Sequence, residues 1–212
     1  MLGSLAAWFA AACSSAEDPL EPSPLDGCVA NVPSKDDAFA MARRDPVKLA
    51  LAEKVAQRFM ADNAPASLLW DWGQSVVMLA LVDLYRVTAD VQYRDYYRSW
   101  IDHHVQVGYQ HLITSSDRCP PALSALALYG ETCEPRYGQV VLDVLRYLYD
   151  EALRSKEGGL NHLGVLDVFG VSLWLDSLFM FGNVLTRWGE LKGDTRALDE
   201  FLTQLRIFAS LL

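Results

Sequence analysis

The residues best placed to do chemistry lie in the stretch 172–188, Ser-Leu-Trp-Leu-Asp-Ser-Leu-Phe-Met-Phe-Gly-Asn-Val-Leu-Thr-Arg-Trp. It is almost wholly apolar and aromatic and carries one carboxylate, Asp176. On a helix, Leu173, Asp176 and Met180 share a face, because three- and four-residue steps return to the same side. An ionised carboxylate on such a face is costly unless it is paired or protonated. A buried Asp with little polar company holds its proton to higher pH, which suits a proton donor at neutral pH. The plainer alternative is an Asp favoured by the dipole at a helix N-terminus, or partly solvated at a helix end. Spacing alone does not choose between the two.

The elements that must position this group are helices. Apolar residues recur at helical spacing over 47–61, 72–87, 93–109, 120–131 and 137–153. The pair Gly158-Gly159 closes the last of these, and a loop runs to about Gly170. The stretch around Asp176 reads as a sixth helix ending near Gly193, and Asp194 caps a seventh through 194–212. No long run alternates apolar and polar residues, so no strand is expected.

The chain also repeats itself. Leu84-Tyr85-Arg86-Val87-Thr88 recurs as Leu128-Tyr129-Gly130-Glu131-Thr132, an offset of 44 residues (129 minus 85). Trp188-Gly189-Glu190-Leu191-Lys192-Gly193-Asp194 is a degraded third copy. Each copy ends an apolar helix and leads into the next, which means stacked helical hairpins. The first helix of each pair is apolar nearly all round, as an inner helix must be, and the second is more amphipathic. The expected fold class is all-α, an α/α toroid or solenoid of hairpins.

Composition bounds the rest. The 212 residues are 51% apolar and 11% aromatic, enough for one sizeable core. A formal net charge of −9 argues against nucleic-acid binding through a basic surface. Residues 1–13 read as a signal peptide: an apolar run too short to span a bilayer ends in Ala10-Ala11-Ala12-Cys13. Small residues before a Cys resemble the lipobox of bacterial lipoproteins, in which Cys13 would be lipidated; no Lys or Arg precedes the run. Membrane contact is then expected only through that anchor, at a bacterial cell envelope. Residues 14–46, Pro-rich and acidic, read as a linker, and 47–212 as the folded domain. Cys119 and Cys133 flank one helix and stand roughly 18 Å apart, too far for a disulfide. Cys28 with one of them is open in an oxidising compartment. No Cys-x-x-Cys or His-rich cluster suggests a metal, and no cofactor is implied.

From Trp70 to Leu212 the chain resembles the unsaturated rhamnogalacturonyl hydrolases and the unsaturated glucuronyl hydrolases, glycoside hydrolase families 105 and 88. The resemblance rests on Trp72-Gly73-Gln74-Ser75-Val76-Val77-Met78, both Leu-Tyr-x-x-Thr copies, Gly158-Gly159-Leu160-Asn161-His162 and Trp174-Leu175-Asp176-Ser177-Leu178-Phe179-Met180. It implies an (α/α)6 barrel, of whose twelve helices seven are legible here, so the chain reads as roughly its first half. It implies that Asp176 is the general acid/base and Asp117, in Ser116-Asp117-Arg118-Cys119-Pro120, its partner. It also implies that His162 binds substrate, with Trp70, Trp72 and Trp174 available to stack on sugar faces. Read without the resemblance, Asp117 is a helix cap, His162 a loop histidine bonded to backbone, and the tryptophans core. His103, His104 and His111 fall on a mixed-polarity helix and read as solvated.

The implied activity is release of a 4,5-unsaturated uronic acid from a pectin- or glycosaminoglycan-derived oligosaccharide. The acid protonates C4, water adds at C5, and the hemiketal collapses to free the neighbouring sugar. The competing reading is a non-catalytic, surface-anchored hairpin module that binds glycan or a protein partner. It predicts that the two Asp side chains diverge, or that an Arg neutralises Asp176. A third is another toroidal enzyme, a glycosidase or sugar epimerase.

Overall fold

The computed structural model describes residues 23–36, 45–166 and 170–211. The expected leader and Cys13 lie outside the described residues. The described chain is helical: α1 (Pro46–Asp62), α2 (Trp72–Thr88), α3 (Val91–Val107), α4 (Pro121–Thr132), α5 (Pro135–Arg146), α6 (Ser177–Met180), α7 (Gly182–Lys192) and α8 (Thr195–Leu211). Beyond helices and turns it holds one isolated bridge, Arg154 with Leu160.

Three hairpins, α2/α3, α4/α5 and α7/α8, stack side by side, with α4 touching both α2 and α7. These three are the inner helices. In α4 the eight residues Pro121, Ala122, Leu123, Ser124, Ala125, Leu126, Leu128 and Tyr129 are all buried. Its small side chains let neighbouring helices approach from every side, while α5 buries one face only. The hairpin α7/α8 closes tightly because a β-carbon on Gly182 would collide with the Phe201 ring.

The sequence repeat is one turn built alike twice. The Thr88 hydroxyl donates to Leu84 O at 2.7 Å and accepts from Asp90 N at 3.1 Å. The Thr132 hydroxyl donates to Leu128 O at 2.8 Å and accepts from Glu134 N at 3.2 Å. Between them, Ala89 N and Cys133 N each donate to the preceding tyrosine carbonyl at 2.8 Å. Ala89 and Cys133 are left-handed, φ 53° and 54°, as is Gly193 in the third copy, φ 67°. This conformation ends a helix by satisfying its last carbonyls and turns the chain back.

Four expectations are corrected. First, residues 171–176 are not helical. Ser172 N is taken by Asn161 Oδ1 at 2.9 Å and Ser172 O by His162 N at 2.8 Å, so a loop earlier in the chain holds Ser172 out of a helix, Leu175 and Asp176 form a turn, and α6 starts only at Ser177. Second, part of the expected linker belongs to the fold. Leu25 lodges against Gly138, where a β-carbon would collide with it, and Cys28 is bonded to Cys133 across 105 residues. Tyr129 OH donates to Leu25 O at 2.6 Å and Asn31 N to Gly130 O at 2.8 Å, which lays residues 23–31 as a strap over the α4 turn. Third, His104 is buried, with Nε2 3.0 Å from Leu68 O, and burial lowers its proton affinity. Fourth, the helix expected over 137–153 starts at Pro135 and widens into a π turn over Tyr147–Glu151, where Arg154 takes Leu148 O at 2.8 Å.

Candidate active site

The inner helices carry their turns at their C-terminal ends and the chemistry-bearing residues at the other. Asp71 caps α2, its carboxylate accepting from Trp72 N at 2.7 Å. Asp117 sits in the short 3-10 turn Ser116–Arg118 that leads into α4. Asp176 is the last residue before α6. The inner helices pack against one another, so three segments far apart in sequence meet at one rim.

The rim is built on His162. Asn161 shapes its loop, donating through Nδ2 to Gly164 O at 3.1 Å and Leu166 O at 3.0 Å. The imidazole is buried, with Nδ1 3.0 Å from both Ser116 Oγ and Ser177 Oγ. Its Nε2 stands 3.8 Å from Asp117 Oδ2. Trp174 lies flat on the imidazole, ring centroids 4.3 Å apart and planes 4° from parallel, and is still 53% exposed. Trp72, across the rim beside Asp71, is 47% exposed.

Asp117 is half-buried, and burial is the main reason its carboxyl is raised above the usual carboxylate range. His162 opposes the shift, the charges of Asp71 and Asp176 add to it, and Arg118 opposes it. Asp117 therefore lies within electrostatic reach of Asp176, and the two carboxylates do not diverge to opposite sides of the fold. Asp176 itself is exposed at the start of α6, which agrees with the plainer of the two readings, a solvated Asp at a helix end, and not with the buried one. The physical reason is its place in the turn that starts α6, a four-residue helix whose buried residues are Ser177 and Met180. No Arg or Lys pairs with Asp176 among the described residues.

Trp70 is a correction of a different kind. It is 1% exposed, stacked on Tyr109 at 4.9 Å and on Trp100 at 6.1 Å, with His104 edge-on. No sugar face can reach it. Its indole N–H donates to Arg118 O at 3.0 Å, and Arg118 returns a bond to Trp70 O, so it fixes the backbone beside Asp117.

Sequence reasoning passed over Asp71, Arg118, Ser116 and Ser177. Arg118 pairs with Asp71 at 2.9 Å and is the cation nearest the acidic rim. Each of the four adjoins a residue that was singled out, and that adjacency is the signal that could have found them. Carboxylates in unlike surroundings can divide acid and base roles between them. Among the described residues no His, Cys, Asp or Glu cluster is placed to hold a metal ion.

The model of Glycosyl Hydrolase Family 88 matches residues 51–212. Among curated proteins, the unsaturated rhamnogalacturonyl hydrolase YesR of Bacillus subtilis is 24% identical over 139 residues, 65% of this chain and 40% of YesR. Among solved structures, a possible member of the GH105 family from Klebsiella pneumoniae superposes with a TM-score of 0.66 at 18% identity. It covers 98% of this chain and 53% of its own. A second possible member, from Salmonella enterica, gives 0.65 at 20% identity, over 91% and 52%. The chain thus spans about half the length, or less, of these relatives.

Proposed function

Since this chain belongs to glycoside hydrolase family 88, we propose that it acts on an oligosaccharide ending in a 4,5-unsaturated uronic acid and releases that acid. Asp176 adds a proton to C4 of the vinyl ether. Asp117 steadies the water that adds at C5, the Asp176 carboxylate left by the first step takes that water's spare proton, and the hemiketal opens to free the neighbouring sugar. Trp174 and Trp72, each about half exposed at the rim, offer flat faces to the sugar rings.

The observation that carries this reading is the meeting of Asp117 and Asp176 at one rim in unlike settings. One is half-buried with a raised carboxyl and a histidine behind it; the other is open to solvent. A sugar stacked over Asp176 would exclude water from the place where the proton is transferred. The bridge between Cys28 and Cys133 supports a secreted or envelope setting, because disulfides persist in oxidising compartments. The lipid anchor at Cys13 belongs to the same proposal.

The test follows the absorbance of the C4=C5 double bond of an unsaturated disaccharide. Turnover is expected, and Asp176→Asn should lower kcat by about 10²–10⁴, the usual worth of a general acid. Unchanged turnover in that variant would reject the assignment. Absence of turnover in the parent chain would favour the glycan-binding module instead.

A further inference from the structure

A cavity of about 690 Å³ runs along α4 between α2 and α7, inside the range of roughly 300–1,000 Å³ that small-molecule sites occupy. Leu123, Leu126 and Gly130 of α4 form its floor, at the three- and four-residue steps that keep to one side of a helix. Arg86 of α2 stands on one wall, and Arg187 and Glu190 of α7 on the other. The strap adds Asn31 at the turn end. That wall is fixed in place, because Asn31 N donates to Gly130 O at 2.8 Å and Cys28 is bonded to Cys133. None of the rim residues Asp71, Asp117, His162 and Asp176 lines the cavity.

Two of its charged side chains have no partner. Arg187 and Glu190 lie on the same helix, yet neither side chain makes a hydrogen bond, ion pair or ring contact among the described residues. The other charged groups are engaged. Glu131 accepts from Tyr97 OH at 2.9 Å, and Arg94, Arg86 and Arg98 favour its charge. Arg86 also stands 3.6 Å from Asp83. A half-buried guanidinium beside an apolar floor presents a planar fork of donors, which matches a carboxylate better than a single hydroxyl. Glu190 offers only lone pairs and calls for donors. The arginines gathered around Glu131 disfavour an ammonium group nearby, which leaves hydroxyls as the donors.

We propose that this cavity is a second binding site, for a small polyhydroxy carboxylate of the sugar-acid class. Arg187 holds the carboxylate, Glu190 accepts from the hydroxyls, and Leu123 and Leu126 lie under the carbon face of the ring. A neutral sugar leaves the guanidinium without its anion. An amino acid supplies the anion but brings an ammonium group towards Arg86. Only a molecule with both a carboxylate and hydroxyls answers the groups that the cavity presents.

The site stands apart from the proposed reaction, and its test needs no turnover. D-glucuronate is titrated into nitrogen-15-labelled protein at constant ionic strength, and the backbone and arginine side-chain signals are followed. Signals of Arg187, Glu190 and the α4 floor are expected to shift and saturate. D-glucose, which lacks the carboxylate, and L-alanine, which carries an ammonium group, should each bind at least about fivefold more weakly. Arg187→Gln should weaken glucuronate binding about tenfold or more, the worth of a hydrogen bond to a charged group. Arg187→Lys, which keeps the charge and loses the fork, should fall between. Asp176→Asn, at the rim, should leave the shifts around Arg187 unaltered. The proposal is overturned if the parent shows no saturable shift at the cavity, if glucose or alanine binds as tightly, or if Arg187→Gln binds glucuronate like the parent. Should Arg187→Gln fail to fold, the ranking of the three ligands on the parent decides. A chain that binds glucuronate here but leaves the unsaturated disaccharide intact would refute the proposed function and leave this site standing.

Discussion

Glu131 and Asp117 stand at opposite ends of α4, and burial raises the carboxyl of each. What surrounds them differs. Glu131, at the turn end, accepts from Tyr97 OH at 2.9 Å and feels Arg94, Arg86 and Arg98, all of which favour its charge. Asp117 has His162 at 3.8 Å and Arg118 in its favour, and two carboxylates, Asp71 and Asp176, against it. One end of the helix neutralises its acid with a bonded donor and three cations. The other gathers like charges beside exposed tryptophans. Such a gathering of like charges is the contrast on which the proposed active site rests.

If the buried packing is the scaffold and the exposed rim is not, the largest losses of stability should come from positions that touch no substrate. Trp70→Ala should cost about 3–5 kcal/mol in urea unfolding, as truncation of a buried aromatic does, whereas Trp174→Ala should cost little stability and raise KM. Equal stability losses would erase the distinction between post and platform. Next, Cys28→Ser removes a cross-link spanning 105 residues and should cost about 2–4 kcal/mol, with the parent loss reproduced by adding reductant and kcat per folded molecule unchanged.

Smaller effects sharpen the same contrast. Ala89 holds a left-handed conformation at φ 53°, where its third-copy counterpart is Gly193. Ala89→Gly should therefore stabilise the protein by about 1 kcal/mol, read as a rise in Tm. Last, Asp117→Asn should stabilise the fold at neutral pH. A raised carboxyl binds its proton more tightly in the folded state, so stability falls as pH climbs from the ordinary value of 3.8 through the raised one. The gain from the variant should be full above that window and vanish as pH drops to 3.8. A gain independent of pH would mean that charge at Asp117 is not its cause.

The hairpins were legible in the sequence because their signals are local. A Thr that bonds the preceding turn recurs in two copies, a left-handed residue followed by Asp or Glu recurs in all three, and the inner helices α2 and α4 are mostly apolar. The site was legible in part. Asp117, Asp176 and His162 lie at one rim, with Asp176 in the solvated setting and not the buried one that spacing also allowed. Its segment reads as helix by composition, yet Asn161 and His162, ten or more residues earlier, take the backbone groups of Ser172, and helix begins only at Ser177. Trp70 and Trp72 are two residues apart, and no local pattern tells that one faces the core and the other the rim. The strap was missed because its Pro-rich composition reads as linker, while Leu25 and Cys28 suffice to dock it.

The stapled strap has a bearing on how the chain acquires its shape. In a polypeptide made from its N-terminus, Cys28 emerges long before its mate, and Cys119 arrives fourteen positions ahead of Cys133. The earlier thiol has the first opportunity to capture Cys28. In the finished molecule Cys119 is fully enclosed, and burial pushes its ionisation far up, which leaves it inert toward exchange. Fidelity of oxidation thus depends on a race: the start of α4 must bury its sulfur before the oxidant acts, and the correct bond then forms by default with the sulfur that the left-handed turn leaves outside.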